Sequence, residues 1–255
     1  TKIAYDGALK HLTVGFTGKL RDITPARVKG YVADRVKGGA SASTVNRETA
    51  VLKMLLKAAV RDHVLSRNPL ADSEIKPLRM APHRVRYLSP GEVELLLDAC
   101  RLTPCLREFT LVALNTGCRR NEILSMVHSS VDWTNRLVRL TATKTNEARV
   151  VHLNETALKA LAGLPRRLDG ALWPFGPDQV SMAFMRASRK ARLVDFHLHD
   201  CRHHYLSMAA MNGVNQRVLM ELAGHKNLAT SQRYVDLSPD FLRQVRESLE
   251  IGASR

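Results

Sequence analysis

At 255 residues the chain has room for one large or two modest domains, each with a buried core. Lys and Arg number 39 against 24 Asp and Glu, a formal charge of +15 spread along the whole chain, so the expected partner is a polyanion, nucleic acid first, met by a folded surface rather than a basic tail. No apolar run approaches the roughly 18 residues of a membrane span and no signal peptide opens the chain; Cys100, Cys105, Cys118 and Cys201 form no C-x-x-C pair, which argues against a zinc ribbon or disulfide framework and fits a reducing cytoplasm.

The first eighty residues read as a small helical bundle. Thr24-Pro25 starts a helix with Pro at its first position, Val28, Tyr31, Val32 and Val36 recur at helical spacing, and Gly38-Gly39 stops it. A second helix is expected from Ser43-Thr44, with Val45, Leu52, Leu55, Leu56 and Ala59 as its buried stripe, and Asn68-Pro69 closes the unit. The glycines of G-F-T-G-K-L at 15–20 stand too close for a phosphate loop, and Leu20 replaces its hydroxyl residue, so no ATP site is expected. Residues 76–88, with two prolines among basic side chains, have the composition of a linker able to cross a DNA backbone, and 81–88 is expected to be the basic linker between the two domains.

Ser89-Pro90-Gly91-Glu92 is a capping box that opens a second, mixed α+β domain over 89–255. Helices are expected near 90–101, 105–115 and 119–127. A β segment follows, Leu137–Leu140 and Arg149–Leu153 about a polar turn at 145–147. Asn154 caps a helix to Leu164, and more helices follow near 178–191, 199–211, 215–222 and 227–234. Ser238-Pro239-Asp240 caps a last helix, 239–250, with Phe241, Leu242, Val245 and Leu249 on one apolar face. The fold class is therefore mainly α: a helical bundle followed by a mostly helical domain with a small antiparallel sheet.

The side chains with chemistry to offer cluster in that second domain. Arg119 follows Thr116-Gly117, a tight corner able to aim a guanidinium at a ligand, and Glu122 is placed to pin that turn by hydrogen bonds; an ordinary first-turn acid would look the same. Lys144 sits at the edge of the β-hairpin, as a solvated lysine or a mobile proton donor. His199 and Arg202, three apart on one helix, should share a face. No carboxylate or Cys spacing completes a metal site around His197, His203 and His204, which are expected to pack, as is Tyr205. His225 follows Gly224 at a helix end. Tyr234, between polar Gln232, Arg233 and Asp236, is expected to keep its hydroxyl available.

T-G-C-R-R-N-E, T-K-T-N-E-A-R-V-V-H-L, H-D-C-R-H and L-A-G-H-K-N-L-A-T-S-Q-R-Y, in that order, resemble the tyrosine recombinase (phage integrase) family over residues 89–255. S-A-S-T-V-N-R-E-T-A-V-L-K is similar to the family's core-binding domain. The resemblance implies a site-specific DNA recombinase that integrates or excises a mobile element or prophage, with an active site of Arg119, Lys144, His199, Arg202, His225 and Tyr234. Tyr234 would attack the phosphate, and Arg119, Arg202 and His225 would stabilise its charge. Lys144 would protonate the leaving 5′ oxygen, and His199 would assist proton traffic. It implies no cofactor and no metal. The expected partners are double-stranded DNA, a homo-tetramer on paired sites in which the last helix docks on a neighbour, and accessory DNA-bending or directionality proteins, all in a bacterial cytoplasm at the nucleoid. Arg47 and Lys53 are candidate DNA contacts. Cys201 stands where the family commonly has Leu, a place for a buried small hydrophobe. A type IB topoisomerase and a non-catalytic DNA-binding relative are the competing readings. The chain opens on Thr1 rather than Met, which leaves an upstream arm-binding domain open.

Overall fold

The computed structural model describes residues 2–80, 86–141, 148–224 and 234, and the chain divides into two compact units, Thr1–Pro82 and His83–Arg255. In the first unit α1 (Lys2–Gly15), α2 (Pro25–Lys37) and α3 (Ala42–Arg61) pack on a core that includes Leu12, Val28, Tyr31, Leu52, Leu56 and Leu70. Thr24 caps α2 by accepting the Arg27 N–H at 3.3 Å. Ser41 caps α3 through the Thr44 N–H at 3.2 Å, so α3 begins earlier than Ser43. Gly15 is required by close approach: a Cβ there would run into the Tyr31 ring, which gives the false phosphate-loop glycine a packing role.

The buried stripe of α3 departs from the expected one. Leu55 is 37% exposed and Val36 of α2 is 48% exposed, whereas Glu48 is only 2% exposed. Glu48 is tolerated inside because it is fully paired: it accepts Tyr31 Oη at 2.8 Å, Arg35 Nε at 3.0 Å and Arg35 Nη2 at 2.8 Å. Burial, then the Glu48 hydrogen bond, pushes the Tyr31 phenol up. Burial opposes the Glu48 charge, yet its bonds from Arg35 and Tyr31 hold the carboxyl below the usual range.

The chain on either side of residues 81–85 is docked rather than free. Asn46 bonds both backbone groups of Leu78, at 2.9 and 2.7 Å, and Lys53 Nζ donates to the Ile75 carbonyl at 2.8 Å. In the second unit Leu88 is buried, its N–H donates to His204 Nδ1 at 3.1 Å, and Arg86 pairs with Glu92 at 2.5 Å.

The second unit runs α4 (Pro90–Cys100), α5 (Leu106–Thr116), α6 (Arg120–Leu124), β1 (Val131–Asp132), β2 (Leu137–Leu140), β3 (Arg149–His152), α7 (Glu155–Ala162), α8 (Pro177–Lys190), α9 (Asp200–Met211) and α10 (Gln216–Ala223). Ser89 and Glu92 complete the capping box on α4. The helix expected over 119–127 stops at Leu124, and a 3-10 turn at His128–Ser130 follows, closed by Ser130 Oγ on the Val127 N–H at 3.1 Å. The antiparallel sheet has the order β1-β2-β3, with Val138 opposite both Val131 and Val151. β1 was not expected: it has two residues, too few to show an alternation, and Asp132 turns the chain back by accepting the Asn135 N–H at 2.9 Å. The fold is mainly helical with this small sheet, as the sequence predicts. α5 lies central, packed on α4, α7 and α9. No helix among the described residues is long and apolar enough to cross a membrane.

Candidate active site

Gly117 ends α5 in the left-handed region, φ +61°. That turn presents the Gly117 carbonyl to Arg202 Nη1, 2.8 Å away. A Cβ on Gly117 would stand 2.5 Å from Tyr205 Cδ1. Gly117→Ala is therefore expected to cost about 1–3 kcal/mol through the strained φ and the displaced ring, read as a lower denaturation midpoint. Two residues on, Arg119 is the N-cap of α6 and Glu122 its third residue. The Glu122 carboxylate accepts the Arg119 N–H at 2.8 Å and Arg119 Nη1 at 2.9 Å.

A helix leaves its last carbonyls without intrahelical donors, and a cation suits that negative end. At the end of α10 three successive carbonyls are taken by three arginines. Arg149 Nη1 bonds Leu222 at 3.0 Å, Arg202 Nη2 bonds Ala223, and Arg119 Nη2 bonds Gly224 at 3.2 Å. Gly224 turns the chain away at φ +60°, and a Cβ there would lie 3.1 Å from Arg149 Nε. Arg149 also bonds Glu122 Oε2 at 3.0 Å, so one carboxylate ties two of the three guanidiniums. Sequence pattern alone does not mark Arg149, although it lies inside T-K-T-N-E-A-R-V-V-H-L; its signal is its place at the start of β3, where a basic side chain would point to solvent unless a partner held it.

Arg202 is 3% exposed. Burial, then repulsion from Arg119 and Arg149, pulls it down to about 10 against the pull of Glu122 and Tyr234. Burial likewise opposes the charge on Glu122, but the Arg119 N–H and the guanidiniums of Arg149 and Arg119 outweigh it and hold the carboxyl below the usual range.

Tyr234 is 1% exposed, against the expectation of an available hydroxyl. Its ring packs with Leu206, Ala210, Leu219 and Ala223, apolar faces of α9 and α10 that its polar chain neighbours do not reveal. Its hydroxyl is hydrogen-bonded to His203 Nδ1 at 2.5 Å, so His203 meets Tyr234 through a polar contact and not through packing alone. His204 fits the packed description: burial pushes it down, and its Nδ1 accepts the Leu88 N–H. His199 and Arg202 differ in burial and in partners. His199 is exposed at the head of α9, its ring edge-on to His203 at 5.0 Å, while Arg202 turns inward to the Gly117 carbonyl.

Lys144 and His225 lie outside the described residues, as do Phe241, Leu242, Val245 and Leu249. Arg47 and Lys53 are exposed on α3, and the bond from Lys53 to Ile75 helps to tie the chain that follows. Cys100, Cys118 and Cys201 are buried, and burial pushes all three thiols up. No group of three His, Cys, Asp or Glu side chains able to hold a metal gathers among the described residues.

Residues 86–240 match the profile of the phage integrase family. The chain belongs to the phage integrase family. The XerD tyrosine recombinase of Corynebacterium glutamicum is 29% identical over 253 residues, covering 89% of this chain and 82% of XerD. The integrase of Salmonella phage P22 is 28% identical over 231 residues; that match covers 83% of this chain but 58% of the phage protein, so the chain spans little more than half of that relative. Among solved structures, the Tn1549 transposon integrase in complex with transposon right-end DNA superposes with a TM-score of 0.76 over 97% of this chain and 93% of that one. At 18% identity that likeness speaks for the phage integrase fold alone.

Proposed function

We propose that the chain is a site-specific DNA recombinase that cleaves and rejoins double-stranded DNA through a 3′-phosphotyrosyl intermediate, integrating or excising a mobile element. One observation carries the reading: Arg119 and Arg202, far apart in sequence, bond adjacent carbonyls at the end of α10, and Tyr234 lies within electrostatic reach of Arg202. A guanidinium has five N–H donors, so those spent on carbonyls leave others for a phosphate. In the proposed reaction Tyr234 Oη attacks phosphorus, while Arg119, Arg202 and His225 bond the non-bridging oxygens where charge builds. Lys144 protonates the departing 5′ oxygen, and exposed His199 assists proton traffic. Glu122 and Arg149 hold the arginine cluster in register. The covalent link conserves the phosphodiester energy, so religation needs no ATP, and no metal or cofactor enters a step.

Residues 1–80 would act as the DNA-clamping core-binding domain, 81–88 as a basic linker, 89–255 as the catalytic domain, and 239–250 as the helix exchanged within a tetramer on paired sites. The charge of +15 supports the DNA reading and predicts binding that weakens steeply with salt. Arg47 and Lys53 are assigned as DNA contacts, accessory DNA-bending or directionality proteins as further partners, and the nucleoid of a bacterial cytoplasm as the location. The decisive experiment incubates the chain, in EDTA, with nicked duplexes of random core sequence. Wild type is expected to become covalently linked to a selected site, and Tyr234→Phe to give no adduct. An adduct that survives that substitution, or that needs Mg²⁺, overturns the proposal.

A further inference from the structure

His203 touches the hydroxyl that the proposed reaction uses as its nucleophile, and that reaction assigns it no task. Its Nδ1 lies 2.5 Å from Tyr234 Oη, the two rings are 5.8 Å apart, and the His199 ring stands edge-on to its own. The fold builds this approach. Residue 203 lies in the first turn of α9, next to Arg202, whose guanidinium is anchored on Gly117 and Ala223. Leu206, Ala210, Leu219 and Ala223 hold the Tyr234 ring against the same turn. The nucleophile, a ring nitrogen and the proposed phosphate-binding guanidinium thus meet at the first turn of α9. A neutral imidazole carries one donor and one acceptor nitrogen; with the proton on Nε2, Nδ1 accepts from the phenol.

Building on the recombinase reading, we propose that His203 is a catalytic residue, the general base that takes the Tyr234 proton. In the forward step the Tyr234 O–H bond breaks and its proton passes to Nδ1 as the Oη–P bond forms. The P–O5′ bond breaks, and the departing 5′ oxygen receives a proton from Lys144. Rejoining reverses each transfer: a 5′-hydroxyl attacks, the Oη–P bond breaks, and the imidazolium returns its proton to Oη. An ordinary phenol, with a pKa of about 10, does not give its proton to an imidazole of about 6.5 in the ground state. Transfer therefore accompanies bond formation to phosphorus, as general-base catalysis requires. Arg202, coupled electrostatically to Tyr234, stabilises the phenolate character that develops.

The test follows single-turnover adduct formation on a nicked duplex that the wild-type chain has selected from a random-sequence pool, with DNA binding measured in parallel. His203→Ala is expected to bind that duplex with unchanged affinity and to form adduct about 100-fold or more slowly. Added imidazole should restore part of the lost rate in proportion to its concentration. His203→Asn sets an amide where Nδ1 stood, able to hydrogen-bond but not to accept the proton, and is expected to be as slow as the Ala variant. A duplex with sulfur in place of the bridging 5′ oxygen, which departs without protonation, should relieve Lys144→Ala and leave His203→Ala slow. A His203→Asn protein at the wild-type rate, or a DNA-binding His203→Ala protein that imidazole does not rescue, overturns the assignment of the base. A wild-type chain that yields no adduct overturns the recombinase reading itself.

Discussion

Arg202→Met is expected to slow strand cleavage by roughly 10²–10³-fold while leaving the thermal midpoint of the second unit almost unchanged. The first half follows from what the guanidinium offers, fixed donors at a point where phosphate charge would build. The second follows from two opposed costs of burying it. Its pKa, pulled down to about 10, means that the fold disfavours the charged form relative to the unfolded chain, at a cost on the order of a few kcal/mol. The sign is that of a base depressed by folding. Above the folded value and below the unfolded one the unfolded chain binds more protons, so stability rises with pH there, and at neutral pH the buried charge is a net cost. Met removes that cost, of which the repulsion from Arg119 and Arg149 is a part, but it strands the Gly117 and Ala223 carbonyls, each worth about 1–3 kcal/mol when left unsatisfied. The two nearly cancel. Calorimetry beside a single-turnover cleavage assay checks both halves, and a midpoint that collapses with activity would mark Arg202 as a structural strut.

Local grammar was legible where it was self-contained. The box at Ser89–Glu92 and the Asn154 cap of α7 are complete within four residues, and the helices begin where they say. α3 shows the limit. Helical spacing placed Leu55 inside and had no place for Glu48, yet Glu48 is buried because Tyr31 and Arg35, on another helix, satisfy it. Periodicity reports where apolar residues fall, whereas the cost of burying a carboxylate is set by partners far along the chain. β1 failed for the opposite reason, since two residues carry no period at all.

The candidate site divides in the same way. Gly117, Arg119 and Glu122 are neighbours in sequence and their hydrogen bonds are nearly local, so a pinned arginine turn was readable. Arg149 is not legible in the sequence because its partners, Glu122 and Leu222, lie on α6 and α10. Only the tertiary placement of Tyr234 separates His203 from His204 one residue on, and no sequence pattern carries that distinction. For Tyr234 the polar flanking residues suggested a wet hydroxyl, while the packing of α9 and α10 encloses the ring. Residue type and spacing identify which groups carry chemistry; which of them touch depends on contacts that no local window contains.

Glu122→Ala is expected to cost about 3–5 kcal/mol, the loss typical of removing one partner from a buried ion pair. Glu122 is 5% exposed and bonded to Arg119 and Arg149, and the nearby charge of Arg202 adds to the repulsion once the carboxylate is gone. In a unit of this size each kcal/mol lowers the melting temperature by about 2–4 °C, so a fall of roughly 10 °C is expected. Glu122→Gln keeps an acceptor for the Arg119 N–H and should lose less. The pH dependence separates charge from shape. A carboxyl held below its ordinary range contributes stability that is fully present above the unfolded value of about 4.3 and is lost as pH falls through the folded value. The difference between wild type and Glu122→Gln should therefore be widest near neutral pH and shrink below about 4.3. Denaturant titrations of both proteins across that range provide the check, and a difference that stays constant down to acid pH would show that Glu122 acts through packing rather than through its charge.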